Sequence, residues 1–201
     1  MKRVNSFSVF LTLIILMVIS GCAKTIRVHP SYYAASIPGG KIEKKVAVVI
    51  PTSEKYKKDT YHAWWAGWSA GIELGEALEE ISMKAISSLY RDVFLLREKP
   101  DYDGNVDLIF TPTITHYRHD VPTFFARFVP STATITIHVK LEDSNGKVLI
   151  DRDYNGKDSK SHPMDTMWDN MEELAEKVFE QTFEIIASDL RKVSMQEQWK
   201  D

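Results

Sequence analysis

The chain has almost no cysteine: its 201 residues contain one, Cys22. An internal disulfide framework is therefore excluded, and so is a zinc site built on thiolates. Charge of one sign is not in excess either, with 25 Lys and Arg against 28 Asp and Glu. Without a basic surplus, no nucleic-acid partner is expected. An apolar run long enough for a spanning helix, about 20 residues, is also missing. The longest candidate, Val9 to Ile19, is interrupted by Thr12. No low-complexity tract or internal repeat occurs. No glycine loop is set to cradle phosphate, since neither Gly71 nor Gly75 is followed by Lys-Ser/Thr. His116 and His119 lie three apart on an expected strand, a spacing that sends them to opposite faces. Asp151, Asp153 and Asp158 read as a solvated strand face and loop rather than a calcium site. These absences imply no cofactor and no metal.

The clearest positive signal is at the start. Lys2 and Arg3 precede the Val9–Ile19 apolar run, and small residues follow it. This is the layout of a secretory signal. Its end, Ile19-Ser20-Gly21-Cys22, resembles the lipobox of bacterial lipoproteins. The resemblance implies a diacylglyceryl group on the Cys22 sulfur, cleavage after Gly21 and acylation of the new amine. Several acyl chains anchor a protein stably where a single chain does not. The residue after the cysteine is Ala23 rather than Asp, which by analogy with Gram-negative lipoproteins implies export to the outer membrane, facing the periplasm. The expected division is a signal peptide over 1–21, a lipidated tether over 22–44 and a folded domain over 45–195. Removing Lys2 and Arg3 takes the net charge from −3 to −5.

Hydrophobic periodicity outlines the domain. Val46 to Ile50, closed by Pro51, reads as a buried strand. A helix is expected over about 62–90, with Leu74, Leu78, Ile81, Ala85 and Leu89 on its buried face. Val93 to Leu96 is a short strand, and Val106 to Tyr117 a longer one in which Pro112 marks a bulge or an edge. Thr132 to Glu142 alternates strictly: Ala133, Ile135, Ile137, Val139 and Leu141 face one way, threonines, His138 and Lys140 the other. The turn Asp143-Ser144-Asn145-Gly146 returns the chain into Val148 to Tyr154. A closing helix is expected over about 167–193, started by Thr166 and burying Met171, Leu174, Val178, Ile185 and Ile186. The sum is an α+β two-layer domain: a mixed sheet of about five strands with two long helices on one face.

A lipobox, a Val-rich first strand, a long helix, a hairpin of long strands and a closing helix together resemble YajG-type outer-membrane lipoproteins. They also resemble the auxiliary lipoproteins of envelope transport systems. The resemblance implies a non-enzymatic role in envelope assembly or transport, with a protein partner or self-association.

Two aromatic groups are the candidate binding surface. Tyr61, Trp64, Trp65 and Trp68 fall at i, i+3, i+4 and i+7, one face of the expected helix start. Phe124, Phe125 and Phe128 lie in the loop beyond Val121. Large aromatics suit membrane interfaces and binding hot spots. Gly67, Gly71 and Gly75 recur at every fourth position, a stripe that lets another backbone approach closely, either the domain's own sheet or a second copy of the chain. The catalytic alternative is Gly67-Trp68-Ser69-Ala70-Gly71, which matches the G-x-S-x-G nucleophile elbow. His138, His162 and the aspartates before His162 could complete a triad with Ser69 in a membrane-tethered hydrolase. Tyr61 to Ala66 lacks the aliphatic strand that an elbow needs, so the expected catalytic set is empty.

Overall fold

The computed structural model describes residues 23–32, 40–63, 68–98, 106–121, 128–163 and 166–198. At 23, 61–63, 68, 128–129 and 196–198 the backbone alone is described. The elements are β1 (Ala23–Arg27), β2 (Ile42–Val49), α1 (Thr52–Lys55), β3 (Lys58–Ala63), β4 (Trp68–Glu73), α2 (Leu74–Leu89), β5 (Tyr90–Leu96), β6 (Leu108–Asp120), β7 (Phe128–Asp143), β8 (Val148–Pro163) and α3 (Met167–Gln198).

The expected five strands form one mixed sheet in the order β5-β2-β6-β7-β8. β2 runs parallel to β5 and to β6, and β6, β7 and β8 form an antiparallel meander. The β7–β8 hairpin follows from its turn. Gly146 takes φ 78°, and Asp143 accepts from the backbone N–H of both Asn145 and Lys147 at 2.8 and 2.9 Å. Ala133, Ile135, Ile137, Val139 and Leu141 are buried, as the alternation requires. Pro112 sits two residues beyond Phe110, the last β6 residue paired with β2, so its missing N–H removes no ladder bond there. A register shift follows between Ile114 and His116.

Helices α2 and α3 pack on the face lined by Val46, Val48, Phe110, Ile137 and Val139, in one core cluster. All five residues expected on the buried side of α2 are buried. The N-terminal side of that expected helix is corrected. It begins at Leu74, not near 62, and residues 58–63 and 68–73 are two antiparallel strands. With β1, which pairs parallel to β4, they make a second sheet in the order β1-β4-β3. The tether expectation changes with it. Ile26 and Val28 are buried in the common core beside Ala70 and Ile72, so residues 23–28 belong to the fold.

Helix α3 spans 32 residues, about 48 Å at 1.5 Å per residue. Its buried stripe drifts from Met171, Leu174 and Val178 to Phe183, Ala187 and Leu190. The drift leaves Ile185 behind at 49% exposure, against the expectation that it is buried. Gly156 on β8 lets the helix approach: a Cβ there would lie 2.2 Å from Thr182 Oγ1 and 2.6 Å from the Val178 carbonyl. Among the described residues no helix is long and apolar enough to cross a membrane.

Candidate functional site

Strand direction decides where the candidate residues go. In the small sheet Ala23 pairs with Ser69, and Trp68 pairs with Ala63. The residue after Cys22, the end of β3 and the start of β4 therefore form one row. Lys24 meets Asp169 at 3.8 Å, which sets this row beside the first turn of α3. Residues after β1 follow α3 along its length. The N–H groups of His29 and Ser31 donate to Glu176 and Glu180 at 3.2 and 2.8 Å. In the large sheet, β6 ends at Asp120, β7 begins at Phe128 and β8 ends at Pro163 opposite Phe128. Thr166, just before α3, donates to the Pro163 carbonyl at 3.1 Å. One end of the molecule thus gathers the start of β1, the end of β3 and start of β4, and the start of α3, with the end of β8 and the start of β7 close by.

Of the candidate aromatics, the backbones of Tyr61, Trp68 and Phe128 fall at this end. Tyr61 and Trp68 lie on β3 and β4, paired with Ala70 and Ala63, and Phe128 opens β7. They do not share a helix face, since the segment is a pair of strands with period two. Cys22, Trp64, Trp65, Gly67, Phe124 and Phe125 lie outside the described residues. The glycine stripe is not helical either. Gly71 is on β4 with open space where a Cβ would sit, whereas Gly75 on α2 is close-packed against the backbone of α1. A Cβ on Gly75 would lie 2.0 Å from the Glu54 carbonyl oxygen.

Ser69 is the second residue of β4, and α2 begins only at Leu74. It is not on a turn from strand to helix, so the elbow geometry does not form. Neither histidine proposed for it points there. His138 lies on the exposed sheet face between Asp151 and Asp153, at 3.2 and 2.9 Å. His162 is buried with Ser131.

That last pair was not singled out from the sequence. Ser131 Oγ and His162 Nε2 are 2.7 Å apart, and each residue is 1% exposed. His162 Nδ1 lies 3.0 Å from the Pro163 carbonyl, so Nδ1 carries the proton and Nε2 accepts from Ser131. This resembles a nucleophile and its base, but both atoms are sealed from solvent. His119 is buried near them, with Nε2 unpartnered and Nδ1 3.4 Å from the Tyr117 hydroxyl. Burial lowers its pKa to about 4, with His162 adding to the effect and Asp120 opposing it. Burial also raises the Tyr117 pKa. The signal for Ser131 was present in the sequence: it is a polar residue in phase with Ala133, Ile135 and Ile137.

Two open concavities among the described residues are shallow and polar. One of about 240 Å³ lies between Lys57, Lys58 and Asp59 and residues 114–117, and one of about 330 Å³ lies between residues 149–152 and Asp189, Lys192 and Val193. Among the described residues no three His, Cys, Asp or Glu side chains are grouped to hold a metal ion. The face of the large sheet away from the helices carries a polar row on β7 and β8. There Thr136 donates to Asn155 at 2.7 Å and Thr132 meets Ser159 at 2.9 Å.

The fold is shared with solved proteins. The chain superposes on a Xanthomonas campestris protein of the DUF330 family with a TM-score of 0.51 and 16% identity, over 90% of this chain and 100% of that one. The minor lipoprotein of Acinetobacter baumannii matches with a TM-score of 0.40 and 13% identity, over 77% and 94% of the two chains. Lipoprotein B of Nitrosomonas europaea matches with a TM-score of 0.39 and 13% identity, over 83% and 94%. No family model and no curated protein matches the chain.

Proposed function

We propose that this protein is a lipid-anchored accessory of the bacterial cell envelope, held on the outer membrane through Cys22 with its domain in the periplasm. It works without catalysis, by binding a component of an assembly or transport machine. The observation that carries this reading is the direct passage from the lipobox Ile19-Ser20-Gly21-Cys22 into β1 at Ala23. An anchor fused to the first strand suits a protein whose task is to hold a position on a membrane. The Ser131–His162 pair is sealed from solvent, and Ser69 sits within a strand while His138 and His162 make their contacts elsewhere, which weighs against the hydrolase alternative.

The test has two parts. Intact mass of the purified mature protein is expected to show an acylated N-terminal cysteine, and Cys22→Ser to abolish it. Photo-crosslinking in cells, from Trp65 and Phe125 and from Thr134 on the open sheet face, is expected to capture a discrete envelope protein. An unmodified Cys22 overturns the anchor. Capture of nothing above background at all three positions overturns the accessory role.

A further inference from the structure

We infer that β8 is a self-pairing edge, through which two copies of this chain join antiparallel into one continuous sheet about a two-fold axis at Asn155. The inference stands on the fold and does not use the lipid anchor. Among the described residues β8 pairs with β7 alone, so the N–H and C=O groups along its other side face outward. Edges of this kind are normally kept short, bulged or broken by proline. β8 runs for 16 residues, its proline is the last of them, and its ladder with β7 is regular from Ile150 to Pro163. β5, at the opposite edge, has seven residues.

Charge selects the occupant and the register. An axis at Asn155 sets Asp153 of each copy opposite Lys157 of the other, and Arg152 opposite Asp158. Opposite charges then face each other at all four of these positions, and no like charges meet. An axis at 153 would set Asp153 against itself, and one at 157 would set Lys157 against itself. Asp153, Asn155 and Lys157 are all exposed. Asn155 accepts from Thr136 at 2.7 Å, which leaves its amide N–H groups to donate to Asn155 of the other copy.

Helix α3 supports the same axis. Gly156 lies under Val178 and Thr182, and Arg152 pairs with Asp189. The stretch of α3 from Thr182 to Asp189 therefore runs beside residues 152–156 of β8. Ile185 stands one turn before Asp189, on the same side of the helix, and is 49% exposed. The two-fold turns the two Ile185 side chains toward each other over the join, and gives this exposed apolar residue a contact.

The test is cysteine cross-linking of the purified full mature protein, oxidised with copper phenanthroline and read on a non-reducing gel. The wild type, whose one cysteine is Cys22, sets the background. Opposed residues of an antiparallel pair have Cα atoms about 4.5–5.5 Å apart, a span that a disulfide bridges. Asn155→Cys is therefore expected to run mainly at twice the monomer mass. Ser159→Cys, which this register places roughly 26 Å from its own copy at about 3.3 Å per residue, is expected to stay at background. Adding Asp153→Lys to Asn155→Cys sets lysine against Lys157 and is expected to cut the dimer fraction several-fold; adding Lys157→Asp as well should restore it. If Asn155→Cys does not fold by circular dichroism, a mixture of Asp153→Cys and Lys157→Cys proteins reads the same axis. No dimer above background, or equal dimer at 155 and 159, overturns the join. Failure of the charge swap to restore the dimer overturns the register.

Discussion

Adding one methyl group at Gly156 should destabilise the whole domain. Gly156 pairs with Ile135 in the centre of the β7–β8 ladder and lies under α3. A Cβ there would meet Thr182 Oγ1 at 2.2 Å, the Val178 carbonyl oxygen at 2.6 Å and Ile135 Cγ2 at 3.1 Å. The first contact can be relieved by a side chain. The second is helix backbone and cannot be relieved without moving α3 off the sheet. Overpacking of this kind costs about 1–3 kcal/mol, and replacing a strand glycine returns about 0.5–1 kcal/mol of backbone entropy. Gly156→Ala should therefore cost about 1–2 kcal/mol net. With a urea dependence of about 1–3 kcal/mol per molar, the unfolding midpoint falls by roughly 0.3–2 M. Thr182→Ala alone should cost about 1 kcal/mol, because the Thr182 hydroxyl donates to Val178 O at 2.5 Å. In the double variant the nearest clash is gone, so the combined loss should be smaller than the sum of the two singles. The Val178 clash remains, so recovery should be partial. The assay is equilibrium urea unfolding of all four proteins by circular dichroism. A Gly156→Ala protein as stable as the wild type, or strictly additive losses, would refute the close approach of α3 to β8.

Three further outcomes can be checked in the same assay. His119 has a folded pKa of about 4 because it is buried, so the unfolded chain binds more protons between about pH 6.5 and 4. The stability this histidine contributes is present above about pH 6.5 and is lost as pH falls, on the order of 1–2 kcal/mol between pH 7 and 5; His119→Phe should flatten that slope, measured as urea midpoint against pH. Ser131→Ala leaves buried His162 Nε2 without its donor at 2.7 Å, which should cost about 1–3 kcal/mol; no change would mean the pair is not formed. Tyr90→Phe removes the partner of buried Ser194 Oγ at 2.7 Å and should cost about 1–2 kcal/mol, with hydrogen exchange rising first in the last turns of α3.

How much was legible depended on whether a segment's partner lay nearby in the chain. The β7–β8 hairpin announces itself, because Asn145-Gly146 fixes the turn and the partner strand is the next one along. Helix α2 was legible from Leu74 onward, where apolar spacing and helix formers agree. Residues 61–73 misled. Tyr61, Trp64, Trp65 and Trp68 happen to fall at helical intervals, and the glycines repeat every fourth position. Two facts pointed the other way. Glycine in a helix costs about 1 kcal/mol per residue, and aromatic and β-branched side chains favour strands. What completes these strands is β1, more than forty positions upstream, and no local pattern can reveal such a partner. The Ser131–His162 pair was hidden for the same reason, since its members sit on different strands and only the register brings them together.

The correction to the tether changes the mechanics of the protein. A flexible linker over 22–44 would have a typical reach of about 25 Å at 5–6 Å times the square root of its length, and a domain on it could turn any face to the membrane. With β1 starting at Ala23, and Ile26 and Val28 buried in the core, that freedom is gone. An acylated Cys22 can then swing the domain only about the bonds of one residue. The end of the small sheet at Ala23, Ala63 and Trp68 would then stay within one or two strand spacings of the anchor. A flexible segment inserted between Cys22 and Ala23 should therefore restore that freedom without altering the fold: energy transfer from a dye on the domain to a headgroup dye should fall while the urea midpoint stays where it was.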